Sequence, residues 1–133
     1  MKYIENHGGR EKYHPTKLKK DRAGDCVVRA IAIATERDWV EVRDELFDLA
    51  KEIGFMPNDT TCYRLYLKRI GWVKHSPMKK GKRKYKVKNM AKFFKDENVV
   101  IHTSHHLTAL VKGNLNDTWN CGDWCANTYW TKK

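Results

Sequence analysis

"AGDCVVRAIAIA", residues 23–34, is the stretch on which the reading of the whole chain turns. Val27, Val28, Ala30, Ile31 and Ala34 recur at helical spacing, and Ala32 and Ile33 make the helix apolar on nearly every side. A helix of that kind belongs at the centre of a fold, covered all round. Gly24 and Asp25 punctuate its start, with Asp25 as the candidate N-cap. Cys26 then stands in the first turn, where backbone N–H groups lack intrahelical partners and the helix dipole is positive. A thiol placed there is either a small hydrophobe of the core or a nucleophile whose pKa the helix lowers.

On either side the sequence supplies what would cover such a helix. "DWVEVRDELFDLAKEIG" predicts a second helix, capped by Asp38, striped by Trp39, Val42, Leu46, Leu49 and Ile53, and stopped by Gly54. "NDTTCYRLYLKRIG" predicts a third, with Asn58 or Asp59 as cap, Gly71 as stop, and Cys62, Leu65, Tyr66 and Ile70 on one face. Cys62 reads there as packing. A short helix follows at "KNMAKFFKDE". Then come β signals: "NVVIHT" as a strand, "HHLTALVKGNLNDTW" as a hairpin turning at Lys112, Gly113 and Asn114, and "NTYW" as an edge strand. Helices first and an antiparallel sheet afterwards make an α+β layout in one domain spanning 1–133. Residues 1–22 read as an irregular, basic N-terminal segment.

The chain has 133 residues, four cysteines and a formal net charge of +11. It has no apolar run long enough to cross a membrane, and "MKYIENHGGREKYH" lacks the apolar segment of a secretory signal. The expectation is a cytoplasmic protein whose thiols stay reduced. The excess positive charge anticipates an acidic partner.

A nucleophilic cysteine needs a base, and the base needs an orienting group. His7, His14 and His75 lie in polar segments suited to surface roles, and His102 sits inside a strand signal. His105 and His106 stand where a strand begins. His106 opens the run Leu107, Thr108, Ala109, Leu110, Val111 and is preferred over His105. The third group should lie on the neighbouring strand, where Asp117 and Asn120 are available. With Lys112 and Gly113 as the two turn residues, His106 faces Trp119 and Asp117 shares its side; a loop longer by one residue would put Asn120 opposite His106 instead. A carboxylate stabilises an imidazolium better than an amide, which puts Asp117 first.

Two further features bear on ligands. Cys121 and Cys125, in "CGDWC", form one pair of the kind zinc sites use, but a second pair is missing unless Cys62 or His102 is recruited. A surface hairpin with two incidental thiols is the simpler reading, and no metal is expected. Residues 74–88, "KHSPMKKGKRKYKVK", carry eight Lys/Arg and no acid, and read as a mobile basic loop. Lys79, Lys80, Lys82, Arg83 and Lys84, with Tyr85 among them and Trp72 nearby for stacking, suit a phosphate backbone contacted without sequence specificity. The same loop suits an acidic protein, or serves only as a solvated, solubilising segment.

The combination of "GDCVVRAIAIAT" with a distant "HHLTALVKGNLNDTWNC" and a closing "YW" resembles small papain-like cysteine-peptidase proteins of tailed-phage genomes. These are distant relatives of the bacteriocin-leader peptidases, which share a "DC" at the helix start. The resemblance runs from about Gly24 to Trp130. It implies a papain-like fold, with the Cys26 helix packed on a small C-terminal antiparallel sheet bearing the base. It implies a thiol protease or related hydrolase of the host cytosol, acting on a protein or peptide without a cofactor. Cys26 would be nucleophile, His106 general base and Asp117 the acidic member. The chain departs from the pattern at one point. Papain-like enzymes usually carry a Gln shortly before the nucleophile as an oxyanion donor, and "KKDRAGD", residues 19–25, has none. That leaves Lys20, Arg22 or the backbone for the task. It also admits a rival, a papain-like scaffold that binds nucleic acid or an acidic host protein, as a phage inhibitor of host defence would.

Overall fold

The computed structural model describes residues 1–14 and 24–133. The central helix is α1, Cys26–Thr35, and every residue from Val27 to Ala34 is buried. It ends where Glu36 turns left-handed at φ 58°, its N–H reaching back to Ile33. Against it pack α2, Trp39–Ile53, and the sheet, while α3, Thr60–Arg69, packs on α2. The buried stripe of α2 is Trp39, Val42, Leu46, Leu49 and Ala50, and Gly54 stops it at φ 77°. In α3 the buried face runs through Cys62, Tyr63, Tyr66 and Leu67, and Leu65 and Ile70, on the face the sequence assigned, pack half-buried against the same core. Cys62 is packing, its thiol directed to the Leu46 carbonyl at 3.8 Å.

Asp25 and Asp38 occupy N-cap positions without a side-chain cap bond. Each carboxylate has a better partner: Asp25 holds Arg29 and Trp39, and Asp38 accepts the Tyr13 hydroxyl.

The sheet has six strands in the order β1-β7-β6-β5-β8-β2: β1 Tyr3–Glu5, β2 Trp72–His75, β5 Asn98–Thr103, β6 His106–Val111, β7 Asn114–Asp117 and β8 Tyr129–Lys132. It is mixed. The segment read as irregular contributes β1, which runs parallel to β7, with Tyr3 beside Leu115 and Glu5 beside Asp117. The closing strand β8 is interior, between β5 and β2, and Trp130 buries itself in the core. Residues 74–88, read as a loop, include the end of β2, the two-stranded β3 Lys79–Lys80 and β4 Arg83–Lys84, and the start of α4, Val87–Met90. A 3-10 turn, Ala91–Phe93, completes the short helix.

Alternation along the strands divides the apolar residues between two layers. Val100, Leu107, Ala109 and Trp130 face α1–α3. Val99, Ile101, Leu110 and Leu115 face α4 and the segment containing Cys121 and Ala126. No helix among the described residues is long and apolar enough to cross a membrane.

Candidate active site

The β6–β7 turn sets the site's register. Val111 pairs with Asn114, Leu110 with Leu115 and Ala109 with Asn116, which makes Lys112 and Gly113 the two turn residues. Both have positive φ, 48° and 81°, the signature of the tight hairpin turn that matches strand twist. A side chain at Gly113 would also meet the Ala91 carbonyl at 3.2 Å. This register carries Asp117 to the same side as His106. His105 has φ 58° in the exposed β5–β6 turn, while His106 is the first residue of β6.

Asp117 and His106 meet at 2.7 Å, between carboxylate Oδ2 and ring Nε2. That bond leaves Nδ1 as the other ring nitrogen. Cys26 starts α1 half-buried, and the His106 ring and the Leu107 backbone N–H are near enough to its thiol to act on its acidity. The structure thus brings Cys26, His106 and Asp117 together. Asn120 lies outside the group, its side chain accepting the Gly122 N–H in a local turn. Trp119 lies beside the His106 ring, with centroids 4.9 Å apart, and Trp124 meets Trp119 edge-on at 5.2 Å. Both tryptophans are exposed.

Asp117 is 1% exposed and accepts from five donors. Arg29 Nη2 at 3.1 Å and the Thr118 N–H at 2.7 Å bond Oδ1. His106 Nε2, the Thr108 hydroxyl at 2.6 Å and the Cys121 thiol at 3.7 Å bond Oδ2. Burial alone would raise its pKa; the bonds from His106 and Thr108 and the charges of His106 and Arg29 outweigh that and hold it below the usual carboxylate value. Burial would push His106 down, but Asp117, Cys121 and Cys26 raise it to about 11. Burial would push the Cys26 thiol up, but His106, the Leu107 N–H and Arg29 lower it. The directions agree on a thiolate beside an imidazolium, oriented by a carboxylate.

Arg29 is the member that sequence reasoning missed. It lies within the apolar helix with its side chain 8% exposed, and its guanidinium bridges Asp25 and Asp117. Trp39 Nε1 donates to the other Asp25 oxygen at 3.1 Å. A lone cation in an otherwise apolar helix, four residues after an aspartate, was the available signal. Cys121 corrects another expectation. It is fully buried against Asp117 and is no surface thiol, whereas Cys125 is exposed. Among the described residues the metal-ligand types gather only at His106, Asp117 and Cys121, within 4.8 Å of one another. Cys62, His102 and Cys125 are not part of that group.

The five cations proposed for an acidic partner all lie exposed on β3, β4 and their turn. Trp72 is buried and cannot stack on a ligand. Lys20 and Arg22 lie outside the described residues. No protein-family model, curated protein or solved structure matches the chain.

Proposed function

We propose that this chain is a papain-like cysteine hydrolase that cleaves an amide or thioester bond in a protein or peptide. One observation carries the reading: a helix-start thiol, Cys26, neighbours a histidine whose Nε2 is bonded at 2.7 Å to a buried carboxylate. In the proposed reaction the Cys26 thiolate attacks the acyl carbon and forms the C–S bond. Charge moves to the carbonyl oxygen, where the Cys26 backbone N–H and the helix dipole receive it. Imidazolium His106 gives its proton to the leaving nitrogen or sulfur as the bond to it breaks. His106 then takes a proton from water, whose oxygen attacks the thioester. The acid leaves, and the thiolate–imidazolium pair is restored. Asp117 keeps the ring in the orientation and tautomer that present Nδ1 to the thiol. The proposed setting is the host cytosol, where the thiols stay reduced.

The rival reading, a papain-like scaffold that binds without turnover, draws support from the absence of a Gln before Cys26. The pH profile of Cys26 alkylation by iodoacetamide, followed by peptide mass spectrometry against exposed Cys125, tests the chemistry. Labelling that persists well below the free-thiol pKa of about 8.5, and that His106→Ala abolishes, is expected. Equal rates at Cys26 and Cys125, or in parent and His106→Ala, would sink the catalytic pair. An activated thiol that turns over no peptide or thioester would favour the scaffold.

A further inference from the structure

We infer that the β3–β4 hairpin is a binding surface for single-stranded nucleic acid. The hairpin contributes little to the core, because Lys79, Lys80, Arg83 and Lys84 are all exposed. Its register sets like charges directly opposite each other, Lys79 against Lys84 and Lys80 against Arg83. Cross-strand like charges destabilise a strand pair. Lys82 adds a fifth cation at the turn. Between residues 72 and 95 the sequence holds no acid, and among the described residues none of these five side chains forms an ion pair. A folded element that concentrates unneutralised charge at a cost to itself is explained by an anion that relieves it.

The hairpin is nonetheless held in place. The Tyr85 N–H bonds the Met78 carbonyl at 3.0 Å, the Ala126 N–H bonds the Tyr85 carbonyl at 2.8 Å, and Lys84 Nζ reaches Asn127 at 2.6 Å. Met78 and Tyr85 pack on the second core. The cations therefore sit on an anchored platform, which limits the ordering cost of binding.

The aromatic residues decide the kind of polyanion. Phe93 is 58% exposed, and its ring lies 5.6 Å from that of half-buried Tyr85, at the base of the hairpin. Lys92 and Lys95 flank it in sequence. Exposed rings among cations offer stacking faces to unpaired bases while phosphates follow the charges. A duplex keeps its bases stacked on each other, and an acidic polypeptide has no base to stack. Both would use the lysines and leave Phe93 idle.

The test is fluorescence anisotropy with labelled oligothymidylate and oligouridylate of about 20 nucleotides. With about five phosphate contacts, affinity is expected to fall about hundredfold between about 50 and about 200 mM salt. Replacing Lys79, Lys80, Lys82, Arg83 and Lys84 together by Gln should remove most binding at low salt and flatten the salt dependence. Phe93→Ala should weaken binding by about five- to hundredfold and leave the salt slope unchanged. All substitutions are on the surface, and unchanged circular dichroism and Cys26 labelling would certify the fold. The inference is overturned if the five-fold variant binds like the parent. It is equally overturned if a duplex of the same length binds as tightly as oligothymidylate with no effect of Phe93→Ala, or if polyglutamate is preferred. None of these outcomes depends on whether Cys26 is catalytic.

Discussion

Removing the guanidinium of Arg29 should damage both the stability and the chemistry of the site. Arg29→Met keeps much of the length and apolar volume of the side chain but leaves Asp25 and Asp117 without their shared cation. Asp117 is 1% exposed, so water cannot replace the lost partner. Breaking one side of a buried ion pair costs about 3–5 kcal/mol. A chain of this size is stable by roughly 7–20 kcal/mol, taking about 0.05–0.15 kcal/mol per residue. The variant should therefore still fold, with a melting temperature lower by about 10–20 °C. The chemical effect has a definite sign. Arg29 helps hold down the pKa of both Asp117 and the Cys26 thiol, so its loss should move the midpoint of Cys26 alkylation to higher pH. Arg29→Lys restores one charge without the planar fork that reaches two carboxylates, and should recover the chemistry more than the stability. Calorimetry and the alkylation profile read the two effects separately. A melting temperature and an alkylation midpoint both unchanged in Arg29→Met would refute the reasoning. A lower melting temperature with an unmoved midpoint would reduce Arg29 to a structural residue.

Gly8, at φ 70°, lies against Arg29: an added Cβ would sit 3.2 Å from its Cγ and 3.4 Å from its Cα. Gly8→Ala should cost about 1–2 kcal/mol, from the left-handed backbone and the close approach together; an unchanged urea midpoint would show that the packing is loose. The ionic groups also set a pH window. Asp117 has a lowered native pKa, so its contribution is present above the unfolded value of about 3.9 and is lost as pH falls through the native one. His106 is raised to about 11, so its contribution is full below about 6.5 and lost as pH rises through the native value. The stability gap between parent and Asp117→Asn, from urea unfolding at each pH, should therefore narrow on acidification below about pH 4. A gap constant from neutral pH to about pH 2 would mean that Asp117 gains nothing from its ionised partners.

Much of the site was legible because it rests on local rules. Residues 23–34 are apolar all round and had to form a buried helix, which put Cys26 at its start. A turn at Lys112 and Gly113 gives the parity that sets Asp117 on the side of His106, but a loop longer by one residue would have favoured Asn120, and only the structure decides between them. What could not be read depended on distant partners. Strand β1 is three residues long and pairs with residues 115–117, so nothing near Tyr3 announces it. Trp72–His75 was masked as a strand by the basic run that follows, and β8 became interior only once β2 lay outside it. Cys121 looked like a surface thiol from its Gly-Asp neighbours, yet the turn after β7 folds it back beneath Asp117. Asp25 was read as a cap because caps are the local use of aspartate before a helix. Its actual partners, Arg29 and Trp39, depend on how α1 meets α2.

The chain accepts an energetic cost in two places, and the two differ in kind. The first is the ionic chain Asp25–Arg29–Asp117–His106–Cys26. Buried charges of this sort seldom stabilise a fold more than apolar residues of the same volume would, and α1 is otherwise built from such residues. Packing alone does not account for Arg29 or Asp117. The proposed thiolate–imidazolium pair does, because the carboxylate and the guanidinium behind it favour both charges. The second is the like-charged β3–β4 pair, where the cost lies in water, is screened by salt, and is relieved only by something from outside. A buried ionic network is balanced from within and suits chemistry on a bound molecule. An exposed, unneutralised one is balanced from without and suits capture. The 124–127 segment touches both: Trp124 meets Trp119 edge-on beside His106, and Ala126 and Asn127 bond the base of the hairpin.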